Sequence, residues 1–177
     1  MNTIPLTEED LTYARSVAKS IYDESRRQGL DPTGATGYYS PENEIIGVLG
    51  EIAAARHFGI PFVPNINQFK RPDVGRWQVR STKYPKGKLL IRPGDPDTDP
   101  YMLVTVPTFR AANIIGWIEG KDAMTDEHWY DKERIRAVVG PGDAAWVIFQ
   151  DQLSSFPDPS DVRHLLKTLI TEEEVAA

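Results

Sequence analysis

Two periods of hydrophobic residues divide the chain. Leu11, Ala14, Val17, Ala18 and Ile21 recur at intervals of three and four, the spacing of one helical face, and predict a helix over residues 7–28. Thr7 stands as its N-cap, Glu8, Glu9 and Asp10 place acids where the helix dipole favours them, and Gly29 supplies a stop. This helix reads as packing. A second stripe, Ile45, Val48, Leu49, Ile52 and Ala55, follows Ser40 as cap and Pro41 at the first helical position, and ends at Gly59. Gly47, Gly50, Ala53 and Ala54 keep this second helix slim enough to lie close against a sheet. A glycine in a helix interior costs about 1 kcal/mol relative to alanine, so some surface there needs close approach.

Beyond Gly59 the period shortens to two. Short strands are predicted at 61–63, 77–82 and 89–91, a central strand at 101–106, and further strands at 114–118, 135–139 and 145–149, the last announced by Gly142 and Asp143. Residues 109–112 read as a helical turn, 121–128 as a polar, helix-prone insertion, 151–159 as a loop, and 160–169 as a C-terminal helix begun by Ser160 and Asp161. The acidic tail, 172–177, reads as frayed. Residues 31–40 form a Gly- and Thr-rich loop in which Tyr38 and Tyr39 either cover a core edge or stack on a base. The pattern is that of an α/β protein, a central mixed β-sheet flanked by helices, in a single domain spanning residues 1–177.

Composition narrows the chemistry. At 177 residues with 40% hydrophobic and 26% charged positions, the chain can bury one sizeable core. It has no apolar run of membrane-spanning length and no basic-then-apolar leader pattern, so the expectation is a cytoplasmic protein with no membrane partner. The absence of cysteine excludes disulfides, thiolate metal sites and cysteine nucleophiles. His57, His128 and His164 lie far apart and form no ligand pair at helical spacing, so any metal would be hard and oxygen-bound. Net charge is -6, yet Arg71, Arg76, Arg80, Lys83, Lys86, Lys88 and Arg92 gather in one segment, a local basic patch on an acidic chain. Asp95, Asp97 and Asp99 lack the glycine and terminal glutamate of an EF-hand loop, and the prolines between them favour an exposed turn.

The candidate site lies where the second helix meets this patch. Asp73 stands in a turn ahead of a strand whose Trp77, Val79 and Ser81 face one side and whose Gln78 and Arg80 face the other. Glu44 and Glu51, seven apart, lie nearly above one another at the border of the helical stripe. Glu44 reads as a solvated flank; Glu51, between close-packing surfaces, reads as functional. Glu51, Asp73, the Gln78 side-chain oxygen and the Val79 backbone carbonyl form a candidate oxygen set for Mg²⁺ or Mn²⁺, with Arg80 beside them to hold an attacked phosphate. The bland alternative makes Asp73 a turn former and Arg80 the internal partner of Glu51.

These residues carry a resemblance. Gly50-Glu51-Ile52-Ala53-Ala54, then Pro72-Asp73, then Gln78-Val79-Arg80-Ser81-Thr82 resembles the PD-(D/E)XK nuclease superfamily, the restriction-endonuclease-like fold, over roughly residues 44–106. The resemblance implies that Asp73 is the metal-binding Asp, Gln78 the counterpart of the second acid, Arg80 that of the Lys, and Glu51 the helix Glu. Gln78 keeps an oxygen but loses a charge, and Arg80 keeps a cation that cannot serve as a base. Lys83, three residues on, is a candidate for the missing amine. The function implied is metal-dependent hydrolysis of DNA by an endonuclease, of phage or mobile-element origin and with a homodimer as a further expectation, with Arg76, Arg80, Lys83, Lys86 and Lys88 on the nucleic acid. The alternative is an inactive nuclease-fold module that binds nucleic acid or a partner protein, and a third reading is a structural or regulatory protein whose acidic surface meets a basic partner.

Overall fold

Both predicted long helices form, and for the predicted reasons. The computed structural model describes residues 2–29, 40–66 and 71–156. In it α1 (Glu8–Arg27) starts with a capping box, the Thr7 hydroxyl accepting from the Asp10 N–H and the Asp10 carboxylate accepting from the Thr7 N–H, and Gly29 follows it at φ +70°. Helix α2 (Pro41–Phe58) has Pro41 in its first turn and Gly59 as a left-handed C-cap at φ +66°; the Ser40 side chain makes no capping bond. Arg56 of α2 donates two bonds to the Asp10 carboxylate, at 2.8 and 2.6 Å, and a third to the Pro5 carbonyl, which fastens α2 to α1.

The remaining elements are β1 (Asn2–Pro5), β2 (Gln78–Thr82), β3 (Leu89–Ile91), β4 (Pro100–Thr108), β5 (Ala111–Glu119), α3 (Gly120–Ala123), β6 (Trp129–Tyr130), α4 (Lys132–Val138) and β7 (Ala145–Ile148). They make a mixed four-stranded sheet in the order β1-β5-β4-β2, with β2 parallel to β4 and the other pairs antiparallel, and a three-stranded sheet in the order β3-β7-β6. The fold is α/β.

Strand β4 shows how the layers stack. Met102, Val104 and Val106 join the core shared with α1 and α2, while Tyr101 and Leu103 join a second core with Leu89, Ile91 and Ile148 of the smaller sheet. Burial on both faces explains the continuous apolar run that marked this strand in the sequence. The central mixed sheet is therefore covered by helices on one face and by a second sheet on the other. The close approach expected of α2 occurs at Gly50, where a Cβ would lie 1.9 Å from Ser81 Oγ; at Gly47 nothing lies within 4 Å.

Three local expectations fail. Residues 135–138 belong to helix α4 and Val139 is its C-cap, because Asp131 caps α4 by accepting from the Arg134 N–H at 2.8 Å and only Ile135 of that helix is buried, so Val138 and Val139 are helix-end residues rather than strand. Residues 109–112 are the β4–β5 hairpin and the start of β5, since Thr108 pairs with Ala111. Residues 61–63 join no strand. The edge strand β1 had no clear signal in sequence; Pro5 is tolerated in it because an edge position needs no donor on its open side. Tyr38, Tyr39, the helix expected at 160–169 and the tail at 172–177 lie outside the described residues. No helix among the described residues is long and apolar enough to cross a membrane.

Candidate functional site

Asp73 owes its position to a tight turn. Val74 and Trp77 exchange backbone bonds at 3.1 and 2.9 Å, Gly75 takes φ +60° between them, and the Asp73 N–H donates to the Trp77 carbonyl. Because β2 is an edge strand, its Val79 N–H is available to Asp73, whose carboxylate accepts it at 2.8 Å. A turn and a strand edge thus fix the acid together.

The alternation along β2 is as predicted, and it separates residues expected to converge. Val79 packs in the core beneath α2, so Gln78 and Arg80 lie on the opposite face, beside Tyr101. Gln78 is 4% exposed, and its amide donates to Asp99 at 2.9 Å. Arg80 donates to Asp95 at 2.8 Å, lies 3.6 Å from Asp73, and stacks its guanidinium 5.2 Å from the Tyr101 ring centre. The Tyr101 hydroxyl donates to the Pro96 carbonyl at 2.6 Å, and its pKa is raised by burial and by Asp95. Residues 94–100 are therefore not simply an exposed turn. Asp97 is exposed, but Asp95 and Asp99 turn inward onto the residues of β2.

Across the strand edge, α2 supplies two more acids. Burial, then the charges of Asp73 and Glu44, push the Glu51 carboxyl up to about 8, against a weaker pull from Arg80. Glu44 is half-buried and its pKa is raised by burial, with Arg92 opposing; the expectation of a solvated flank is corrected. Asp73 is also raised by burial, although the Val79 N–H and Arg80 favour its charged form. Arg80 forms its ion pairs with Asp73 and Asp95, rather than with Glu51 as the bland alternative required. Acids outnumber cations here.

Of the proposed metal donors, Glu51 and Asp73 share one electrostatic neighbourhood, the Gln78 amide is turned to Asp99, and the Val79 carbonyl lies 3.5 Å from an Arg80 nitrogen. Among the described residues no group of three or more His, Cys, Asp or Glu is placed to hold a metal ion. Two carboxylates nevertheless fit Mg²⁺ or Mn²⁺ in donor chemistry, since Mg²⁺ usually keeps several waters and takes one or two carboxylates together with substrate phosphate.

The basic patch divides. Arg76 pairs with Glu119 at 3.3 Å and lies over Trp77, and Lys83 pairs with Glu42 at 3.1 Å. Lys86, Lys88 and Arg92 join Arg80 around a cleft of about 670 Å³ that opens beside Glu44 and Asp95. Sequence reasoning missed Asp95, Asp99 and Tyr101 as site residues; their one signal was the prolines at 93, 96 and 100, which can hold a polar loop in a fixed course. Compared with family models, curated proteins and solved structures, the chain finds no match in any of the three.

Proposed function

We propose that the chain is a nuclease-like protein that hydrolyses phosphodiester bonds of DNA with the help of Mg²⁺ or Mn²⁺. The observation that carries this reading is Glu51, a carboxyl kept neutral by burial beside Asp73 and Glu44, with Arg80 already engaged by Asp73 and Asp95. Such a site lacks positive charge, and a divalent cation supplies it. When bound, the cation would acidify a water and neutralise charge on the phosphate. Glu51 and Asp73 would hold it. Arg80, fixed by Asp95 and Tyr101, would hold a phosphate oxygen, and it takes no part as a base because a guanidinium does not deprotonate near neutral pH.

Calorimetry with Mn²⁺ in buffers of different ionisation enthalpy tests the reading. Binding should release protons near neutral pH, because Glu51 must ionise to coordinate, and Asp73→Asn should abolish binding while circular dichroism stays unchanged. Plasmid nicking should be lost in the same variant. Mn²⁺ binding that survives Asp73→Asn would overturn the assignment.

A second reading has its own support. The ion pairs of Arg80 and the amide bond of Gln78 satisfy the site from within, which suits a nuclease-like module that binds nucleic acid or a partner protein without turnover. Specific DNA binding with no cleavage, in a protein where Gln78→Glu combined with Arg80→Lys restores nicking, would favour it.

A further inference from the structure

The cleft beside the candidate site has features that a simple phosphate track does not need. Its lining includes Tyr84, 64% exposed, and Val138 and Val139 at the end of α4, exposed at 38% and 43%. They give a cleft with a charged lining an apolar and aromatic component as well. Cations flank them. Arg80, Lys86, Lys88 and Arg92 line the cleft against the acids Glu44 and Asp95, so this pocket is positive on a chain whose net charge is -6.

Tyr84 is also held in place. The Gly87 N–H donates to the Tyr84 carbonyl at 2.8 Å, the Tyr84 N–H donates to Thr82 Oγ1, and the Gln150 amide donates to the carbonyls of Pro85 and Gly87, both at 2.9 Å. A Cβ at position 87 would meet Thr82 Cγ2 at 2.4 Å, so the turn depends on its glycine. These bonds fix the backbone of the turn, and the Lys83 ammonium lies 5.9 Å from the centre of the exposed Tyr84 ring, so the turn that carries the ring is ordered before any ligand arrives. On the α2 side the cleft is bounded by Gly47, where a side chain would project into open space.

We propose that this cleft binds single-stranded nucleic acid running toward the candidate site, with a base stacked on Tyr84 and against the apolar end of α4, and the backbone phosphates on Lys86, Lys88 and Arg92. The inference rests on the nuclease-like reading and adds to it the strand class of the substrate. A duplex presents its bases stacked and paired inside, so it cannot use the aromatic and apolar parts of the cleft. A single strand uses both halves at once, and stacking tolerates any base because every base has a π-face.

The test is fluorescence anisotropy of the full chain with a labelled oligonucleotide of about 12 nucleotides and its duplex, in chelator and at low salt, where non-specific phosphate binding is strongest. The single strand should bind at least about tenfold more tightly than the duplex, Tyr84→Ala should lose about tenfold on the single strand only, and Tyr84→Phe should restore the affinity. Gly47→Leu supplies a variant whose failure to fold is not a concern, since leucine is the better helix former and meets open space at its Cβ. It should keep or raise the melting temperature and weaken single-strand binding. Equal affinity for the two forms, or an unchanged Tyr84→Ala, would overturn the inference while leaving the nuclease-like reading standing. No affinity for either form in chelator would overturn the inference, and no affinity with Ca²⁺ in place of the chelator would remove the nuclease-like reading as well.

Discussion

Two arginines, Arg56 and Arg80, each pair with aspartate, buried Asp10 in one case and half-buried Asp73 and Asp95 in the other, and the difference between them separates a structural ion pair from a candidate site. Arg56 meets Asp10 alone, through two bonds at 2.8 and 2.6 Å, and Thr7 satisfies the rest of that carboxylate. Burial alone would raise the Asp10 pKa, but the bonds from Arg56 and Thr7 hold it below its ordinary value. Charge cancels there. Arg80 instead stands between Asp73 and Asp95, and the neighbouring Asp99, Glu51 and Glu44 add further acid; the pKa values of Asp73, Glu51 and Glu44 are all raised. Arg80, together with Arg92 acting on Glu44, leaves those three values raised. The same pair of residue types therefore gives a closed contact between two helices in one place and, in the other, a cluster in which three carboxyls keep raised pKa values.

The largest expected effect tests whether Arg80 is indispensable to its acids. Arg80→Ala leaves Asp73 and Asp95 without their cation in a setting where the side chains are only 19–27% exposed, and urea unfolding at neutral pH should show a loss of about 2–4 kcal/mol. A loss much smaller than that of Asp10→Asn would mean that the acids already repel too strongly for the pair to stabilise the fold.

The next effect is a contrast in sign. Glu51 has its folded pKa raised from 4.5 to about 8, so the folded state holds a proton that the unfolded state releases, and stability falls as pH rises across that interval. Glu51→Gln should therefore stabilise the protein by about 2 kcal/mol at about pH 9 and change little at about pH 4. Asp10 behaves oppositely. Its pKa is lowered from 3.8, so its contribution is present above that value and is lost as pH falls through the folded pKa. Asp10→Asn should cost about 1–2 kcal/mol at neutral pH, through the cap and the Arg56 bonds, and the difference from wild type should shrink in acid. Identical pH profiles for the two variants would dissolve the comparison.

The smallest effect concerns Lys83, the candidate amine. Its pKa is raised by the Glu42 bond, and the pair lies at the surface with side chains 40% and 51% exposed. Lys83→Ala should leave stability unchanged within error, as exposed pairs commonly do. Unchanged plasmid nicking would remove Lys83 from the chemistry, whereas a large loss would restore it.

Much of the fold could be read from the chain because its signals are local. Thr7 with Asp10 writes one helix start, Pro41 and Gly59 bound the other helix, and the run at 101–106 is apolar on both faces because both faces are covered. Where propensity and patterning gave a short apolar run without a cap signal strong enough to decide, as at 135–139, the β-branched pair Val138 and Val139 read as strand. Alternation along 77–82 likewise placed Gln78 and Arg80 on one face, but it could not say which face looked toward α2.

The sequence by itself determined the two long helices, the central strand, the shared face of Gln78 and Arg80, and the gathering of cations between 71 and 92, since each rests on residues close together in the chain. Only the tertiary structure decided which acids answer those residues. The partnership of Gln78 with Asp99 and of Arg80 with Asp95 spans 21 and 15 positions, and it exists because β2 pairs in parallel with β4, which brings the loop ahead of β4 to the start of β2. The second sheet on the far face, the cleft that Tyr84 shares with the end of α4 and the rise of the Glu51 carboxyl to about 8 are likewise tertiary. Each is a property of surfaces made adjacent by packing, and burial, which sets the charge of an acid, has no local signature in the chain.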